Sequence, residues 1–290
     1  MVKKEKGFGF GIKLTKSLRK PKKKLSPIKR AAKITAGVFI ILMVVVFLTL
    51  LISYFIQLNR AGIKGNLHMH TTYSDGHGSY DEMVDEAVRL GLDFIVITDH
   101  GYIRKIGEDV LEKCPKETRL FCIIGEEVHP VEGDTLAIGI IEFIPNNLGI
   151  EETIEMVHNQ GGLAIPAHPN TPGEITHGTL IRIKDKIDAV ECYNDGHFDE
   201  LDYFWLRRFS KRENIPCVFD SDSHHIETLG DAYNVCEIEG DLSKENLFDA
   251  IKQGKCKPRI KSFVKYSYYT LSKLCPFIRP FALLAVKIIE

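Results

Sequence analysis

The sequence predicts an α/β fold preceded by one membrane-spanning helix. Three observations lead to that expectation. Short apolar, β-branched runs alternate with amphipathic helical stretches through the middle of the chain. Five short strings rich in His, Asp and Glu each sit at or just beyond the end of such a run, as at the carboxyl ends of barrel or sheet strands. Ahead of them, residues 34–59 contain no charged residue.

In chain order, residues 1–33 form a basic tail with thirteen Lys and Arg against one Glu. The uncharged run at 34–59 exceeds the ~20 residues needed to span a bilayer and the ~7–15-residue core of a cleaved signal peptide. No small-x-small cleavage site follows it. The positive-inside rule keeps the tail in the cytoplasm, giving a single-pass protein whose main domain lies outside the cytoplasm. The seven cysteines argue mildly against this topology, because an oxidising exterior would pair six and leave one thiol. Cys122, Cys192 and Cys217 fall in predicted strands, where buried thiols are ordinary.

The first string holds His68 and His70, two apart on a predicted strand, so a period of two turns both imidazoles to one side, as two ligands of one ion require. Two half-exposed strand histidines would look the same, and the sequel separates the readings. Ser74-Asp75-Gly76 is a turn that presents a carboxylate, and Ser79–Leu90 reads as an acidic amphipathic helix. Phe94-Ile95-Val96-Ile97 then leads into Asp99-His100, and Phe121-Cys122-Ile123-Ile124 into Gly125-Glu126-Glu127. A further strand reads Thr135-Leu136-Ala137-Ile138-Gly139, with Asp134 before it and helix 151–159 after it. Leu163–Pro166 leads into Ala167-His168-Pro169, the strand 189–194 contains Glu191, and helix 198–212 follows. Cys217-Val218-Phe219 leads into Asp220-Ser221-Asp222-Ser223-His224, before a helix at 243–254 with an apolar stripe at Leu247, Ala250 and Ile251.

These ligand types narrow the chemistry. Mixed imidazole and carboxylate donors suit Zn, Mn or Fe better than Ca, which prefers oxygen cages. No C-x-x-C pair supports a structural zinc site. Clustered divalent ions lower the pKa of water to roughly 7, and a pair about 4 Å apart clamps the attacking and leaving oxygens of a phosphoryl group. Such hydrolysis needs no nucleophilic side chain, and the chain has no G-x-S-x-G elbow.

On these motifs and their order, across residues 65–256, the chain resembles the PHP (polymerase and histidinol phosphatase) superfamily of metal-dependent phosphoesterases. The resemblance implies a distorted (β/α)7 barrel with two to three Zn, Mn or Fe ions at the mouth. It implies that His68, His70, Glu127 and Asp222 surround one ion and that Glu127 bridges to a second held by His168. Asp75, His100 and His224 would hold a third, and the catalytic roles would fall to Asp222, His224 and His100. One departure concerns the histidine that many members place before the strand at 135–139, where this chain has Asp134; Asp134 would substitute for it, or His129 would reach in from the preceding loop. The family's Gly-x-Glu pattern selects Glu127, leaving Glu126 to point the other way as a supporting or solvated carboxylate. Glu191 matches a position where the family often carries an acid; a role beside the metals or substrate and a plain strand-end charge are equally open. His158, His177, His197 and His225 read as surface or loop histidines, and His77 as a solvated turn residue.

Charge bounds the substrate. Residues 61–256 hold 17 Lys and Arg against 37 Asp and Glu, a net of −20, whereas 257–290 hold seven against one. A strongly acidic body repels long polyanions, so a small phosphate ester is favoured over nucleic acid. The expected organisation is a basic cytoplasmic tail (1–33), a transmembrane anchor (34–59), a phosphoesterase domain (60–256) and a basic, aromatic extension (257–290). Prolines 276 and 280 argue against one continuous helix in that extension, which would lie on the membrane face or pack on the barrel. A nuclease acting on nucleic-acid ends is the alternative within the class, and an inactive metal-binding module with a structural or regulatory role is the alternative outside it.

Overall fold

A computed structural model describes residues 26–101, 119–197 and 200–271. Helix α1 (Pro27–Leu58) is, among the described residues, the one helix long and apolar enough to cross a membrane. The chain divides after Val44 into two compact units, and residues 45–290 form the larger.

The larger unit is built on nine strands: β1 (Ile63–Asn66), β2 (Phe94–Ile97), β3 (Phe121–Val128), β4 (Thr135–Ile138), β5 (Leu163–Pro166), β6 (Val190–Asn194), β7 (Cys217–Asp220), β8 (Ala232–Cys236) and β9 (Cys256–Ile260). Seven form one curled sheet in the order β5-β4-β3-β2-β1-β8-β9, and β6 pairs with β7 separately. Around them lie α2 (Tyr80–Leu90), α3 (Ile150–Asn159), α4 (His177–Ile183), α5 (Glu200–Glu213), α6 (Lys244–Lys252) and α7 (Phe263–Leu271). The α/β class expected from the sequence is therefore present, as a half-barrel sheet of the kind a PHP-type barrel contains.

The strand directions depart from seven plain β/α repeats. β1, β2 and β3 are mutually parallel, but β4 runs antiparallel between β3 and β5, and β8 antiparallel between β1 and β9. Only a short loop separates β3 from β4, too little chain for the crossover that parallel pairing needs. β3 changes partner midway: Phe121–Ile124 pairs with β2, and Gly125–Val128 pairs with β4. Glu126 and Glu127 thus lie within a strand rather than beyond its end.

Strand alternation explains why these runs are apolar throughout. Phe94, Val96 and Ile123 pack in one buried cluster with Leu163, Ile165 and Val218, whereas Ile95, Ile97, Cys122 and Ile124 face another that includes Met83, Ala87 and Ile154 from the helices. Both faces are covered, so neither can be polar. The helix ends follow local rules. Ser79 and Glu82 form a reciprocal capping box at the start of α2, Gly91 takes the left-handed conformation that closes it, and Ser243 caps α6.

The cysteine expectation needs correcting. Cys192 on β6 and Cys217 on β7 are joined by a disulfide, as are Cys236 and Cys256, which face each other across β8 and β9. Cys122 is also disulfide-bonded. Local pattern identified the strands of Cys122, Cys192 and Cys217 but not β8 and β9, which hold Cys236 and Cys256, and pairing depends on which strands become neighbours.

Candidate metal centre

The loop after β1 carries His68 and His70 to the carboxyl ends of the strands, where a bridge between Met69 and Ser223 aligns it with the segment after β7. Both histidines are fully buried, and Glu127 and Asp222 beside them nearly so. His68 Nε2 lies 3.2 Å from His70 Nε2, 3.1 Å from Glu127 Oε2 and 3.2 Å from Asp222 Oδ1. His70 Nε2 lies 3.0 Å from the same Glu127 oxygen and 3.3 Å from the same Asp222 oxygen. Donor atoms this close together can share one ion at a common centre, since Zn–N and Zn–O bonds of roughly 2.0–2.2 Å place neighbouring ligand atoms at similar separations. Asp222 Oδ1 has no hydrogen-bond partner although it is buried, a costly state that a cation at that centre would relieve. These four groups fit a metal ion.

Glu127 extends the cluster. Its Oε1 is 2.9 Å from His168 Nε2, and its Oε2 is 3.6 Å from His100 Nε2. Asp75, its side chain 54% exposed, lies 3.3 Å from His224 Nε2, 3.4 Å from His70 Nδ1 and 3.6 Å from His100 Nε2. Glu127, Asp134 and His168 bring three donor atoms together, and so do His70, Asp75 and His100. All eight residues proposed from the motifs as ligands therefore lie in one cluster at the mouth.

The antiparallel β4 explains Asp134. A residue preceding an antiparallel strand falls at the same end of the sheet as residues following parallel ones, which is how Asp134 comes beside Glu127 and His168. His129 hydrogen-bonds Asp134 and stacks on His100, with ring centroids 4.3 Å apart. Glu126 points away from the cluster but is not solvated. It is fully buried and accepts hydrogen bonds from the backbone N–H of Gly101 and, more weakly, of Ile144, and burial pushes its pKa up to about 7.

Glu191 stands behind the ligands rather than among them. Its Oε1 is 3.1 Å from His68 Nδ1, and its Oε2 accepts the His168 N–H at 2.6 Å and the Asn194 side-chain amide at 3.0 Å. This fixes a hydrogen on His68 Nδ1 and leaves Nε2 free to ligate. Asp99 does the same for the loop, accepting from the Thr71 N–H at 2.8 Å and its hydroxyl at 2.6 Å, and from Ser74. In that turn a side chain on Gly76 would collide with the His70 carbonyl at 2.5 Å, so only glycine fits. His168 and Asp222 both have positive φ, 22° and 49°, a strained backbone of the kind that collects at functional sites.

Electrostatics agree with a site built for cations. At His70 burial opposes the charged form, but the adjacent Asp222 and Glu127 carboxylates outweigh it and raise the pKa to about 9. His168 likewise reaches about 9, burial being overcome by Glu127. Burial would raise the Glu127 and Asp222 carboxyls, yet the surrounding histidines hold both well below their ordinary range.

Sequence reasoning passed over His197. Its Nε2 is 3.5 Å from Asp222 Oδ2 and its ring lies tilted against His168 with centroids 4.4 Å apart, so it joins His168 and Asp222 in a further group of three donors. An isolated loop histidine carries no local signal of this. His158 pairs with Asp188 away from the mouth, and His177 begins α4 rather than lying in a loop. His77 and His225 face each other at 4.4 Å on the rim.

The model of the PHP domain family matches residues 66–228, more than half of the chain and the stretch that holds every donor above. The chain belongs to the PHP family. A model of the PHP-associated region matches residues 206–256. An uncharacterized protein of Methanocaldococcus jannaschii is 37% identical over 152 residues, which is 48% of this chain and 86% of that protein. The DNA polymerase/3'-5' exonuclease PolX of Bacillus subtilis is 46% identical over 204 residues, 58% of this chain but only 35% of PolX. A two-domain protein of Bacteroides vulgatus, described as containing a predicted PHP-like metal-dependent phosphoesterase, superposes with a TM-score of 0.54 at 20% identity, covering 68% of this chain and 64% of that one. That similarity shows the fold.

Proposed function

We propose that this PHP protein is a membrane-anchored, metal-dependent phosphoesterase that hydrolyses small phosphate esters. The observation that carries the reading is the buried cluster of His68, His70, Glu127 and Asp222, continued through Glu127 to His168 and Asp134 and through Asp75 to His100 and His224. Two to three ions, Zn, Mn or Fe, would supply an activated water and neutralise charge developing on the phosphoryl oxygens. His68, His70, Glu127 and Asp222 would hold the first, Glu127, His168 and Asp134 the second, and Asp75, His100 and His224 the third. The side chains of His100 and His224 are 22% and 33% exposed, so substrate can reach them while the first four residues stay shielded. Residues 60–256 would form the catalytic domain.

Two observations support a position outside the cytoplasm with the amino terminus inside: the basic tail before α1, and disulfides, which persist in oxidising compartments. A tag after Glu290 should then be cleaved by protease added to intact cells; protection of that tag would reverse the orientation. The net charge of −20 over residues 61–256 favours a small ester. A second reading, cleavage at nucleic-acid ends, is favoured by the identity with PolX. The inactive module is disfavoured by the completeness of the donor set.

The test is a screen of the full-length chain in detergent against phosphomonoesters, phosphodiesters and oligonucleotides, with Mn and Zn supplied separately. The expected result is inorganic phosphate from small monoesters. Nucleotide release from oligonucleotides alone would establish the second reading, and metal-loaded protein inert on all three classes would establish the inactive module.

A further inference from the structure

Away from the metal centre, a groove of roughly 1320 Å³ runs between α5, the start of β9 and the end of α1. Its lining is the reverse of the body's charge. Arg207, Arg208, Lys211 and Arg212 come from α5, Lys252 and Lys257 flank the turn into β9, and Arg60 follows α1; among the described residues no Asp or Glu lines it. Arg212 pairs with Glu213 at 2.5 Å and Lys252 with Asp188 at 3.6 Å, both carboxylates outside the groove, and Arg207 also has a partner, so the cations that count toward an anion site are Arg60, Arg208, Lys211 and Lys257. Neighbouring cations repel one another, and an anion seated among them would offset that repulsion.

The groove opens beside the anchor. One face of the last turns of α1 packs on the domain: the Gln57 side-chain amide donates to the Ile260 carbonyl and accepts its N–H, and Tyr266 donates to the Ser53 carbonyl. The opposite face exposes Ile52, Phe55 and Ile56, by 60%, 53% and 62%. Apolar side chains this exposed call for lipid as far as Ile56. Arg60 is four residues further, about 6 Å at helical rise, which matches the roughly 5–7 Å thickness of one headgroup layer. Gln57 and Arg60 therefore line the groove at headgroup depth.

We propose that this groove binds the phosphodiester headgroup of an anionic phospholipid in the leaflet that faces the domain, an inference that rests on reading α1 as the membrane anchor. Guanidinium groups pair with two phosphate oxygens at once, and Arg208 of α5 and Arg60 supply them from two sides.

The experiment follows thermal unfolding of the full-length chain in neutral detergent, with phosphatidylglycerol, phosphatidylcholine or sodium phosphate added at equal concentration. Phosphatidylglycerol near saturation should raise Tm by about 5 °C, and the other two should not. Arg208→Glu/Lys257→Glu, at two exposed positions, should lose most of that shift while melting normally without lipid. If that variant melts early, Arg208→Gln/Lys257→Gln replaces it. An equal shift with sodium phosphate would overturn the lipid source, a shift unchanged in the variant would overturn the groove, and no shift at all would overturn both. Alkaline extraction of membranes tests the anchor separately, since a chain stripped by it is not membrane-spanning whatever the melts show.

Discussion

Replacing Glu191 by glutamine tests how the metal centre is held. The carboxylate is 1% exposed and accepts at both ends: from His68 Nδ1 at 3.1 Å, and from the His168 N–H at 2.6 Å and Asn194 Nδ2 at 3.0 Å. An amide is the same size but donates at one end. Placed toward His168 and Asn194, its NH2 meets two donors. Placed toward His68, it forces the ring hydrogen onto Nε2, the atom that faces His70, Glu127 and Asp222. Either way one charge-assisted hydrogen bond is lost, about 1.5–3 kcal/mol. That corresponds to roughly a 10–100-fold loss of metal affinity, the range found when groups behind a ligating histidine are changed. The assay is competition for zinc against a chromophoric chelator, with circular dichroism and a cooperative melt as controls for folding. A folded Glu191→Gln variant that binds zinc within about twofold of wild type would refute the positioning role.

Full-length protein purified without chelator should carry two to three transition-metal ions per chain by elemental analysis, and His68→Ala/His70→Ala should lower that number; metal-free wild type would remove the basis for an enzyme. Asp222→Asn and His224→Ala should each abolish most phosphate release with the fold retained, and full activity in Asp222→Asn at the wild-type metal requirement would place the site elsewhere. The pKa values of His70 and His168 are raised from 6.5 to about 9 in the metal-free protein, so their protons stabilise it fully below pH 6.5 and that contribution is lost as pH rises through 9. Metal binding displaces those protons. Calorimetry in buffers of different ionisation enthalpy should therefore show proton release between pH 6.5 and 9 and tighter binding as pH rises, and an absence of net release would contradict the assignment. Cys236→Ser opens a bridge between residues 20 apart in sequence and should cost about 3 kcal/mol in a non-reducing melt; an unchanged Tm would mean that the pair is not bonded in the native protein.

The sequence by itself determined the strand-end strings, the opposed directions of Glu126 and Glu127, and the uncharged run that α1 contains. Each is a local property, set by a period of two or by an uncharged run, and no distant residue is needed to read it. The local reading missed on two points: α1 begins at Pro27, before that run, and His68 and His70 lie beyond the end of β1 rather than on a strand. Tertiary structure alone decided the rest. The antiparallel course of β4 delivers Asp134 to the mouth, β6 beside β7 puts Glu191 behind His68 and pairs Cys192 with Cys217, and the loop after β6 carries His197 to Asp222. These outcomes depend on which strands become neighbours and in which direction they run. Side-chain periodicity is the same for a strand pointing either way and paired with any partner, so the choice is made by packing of the whole sheet.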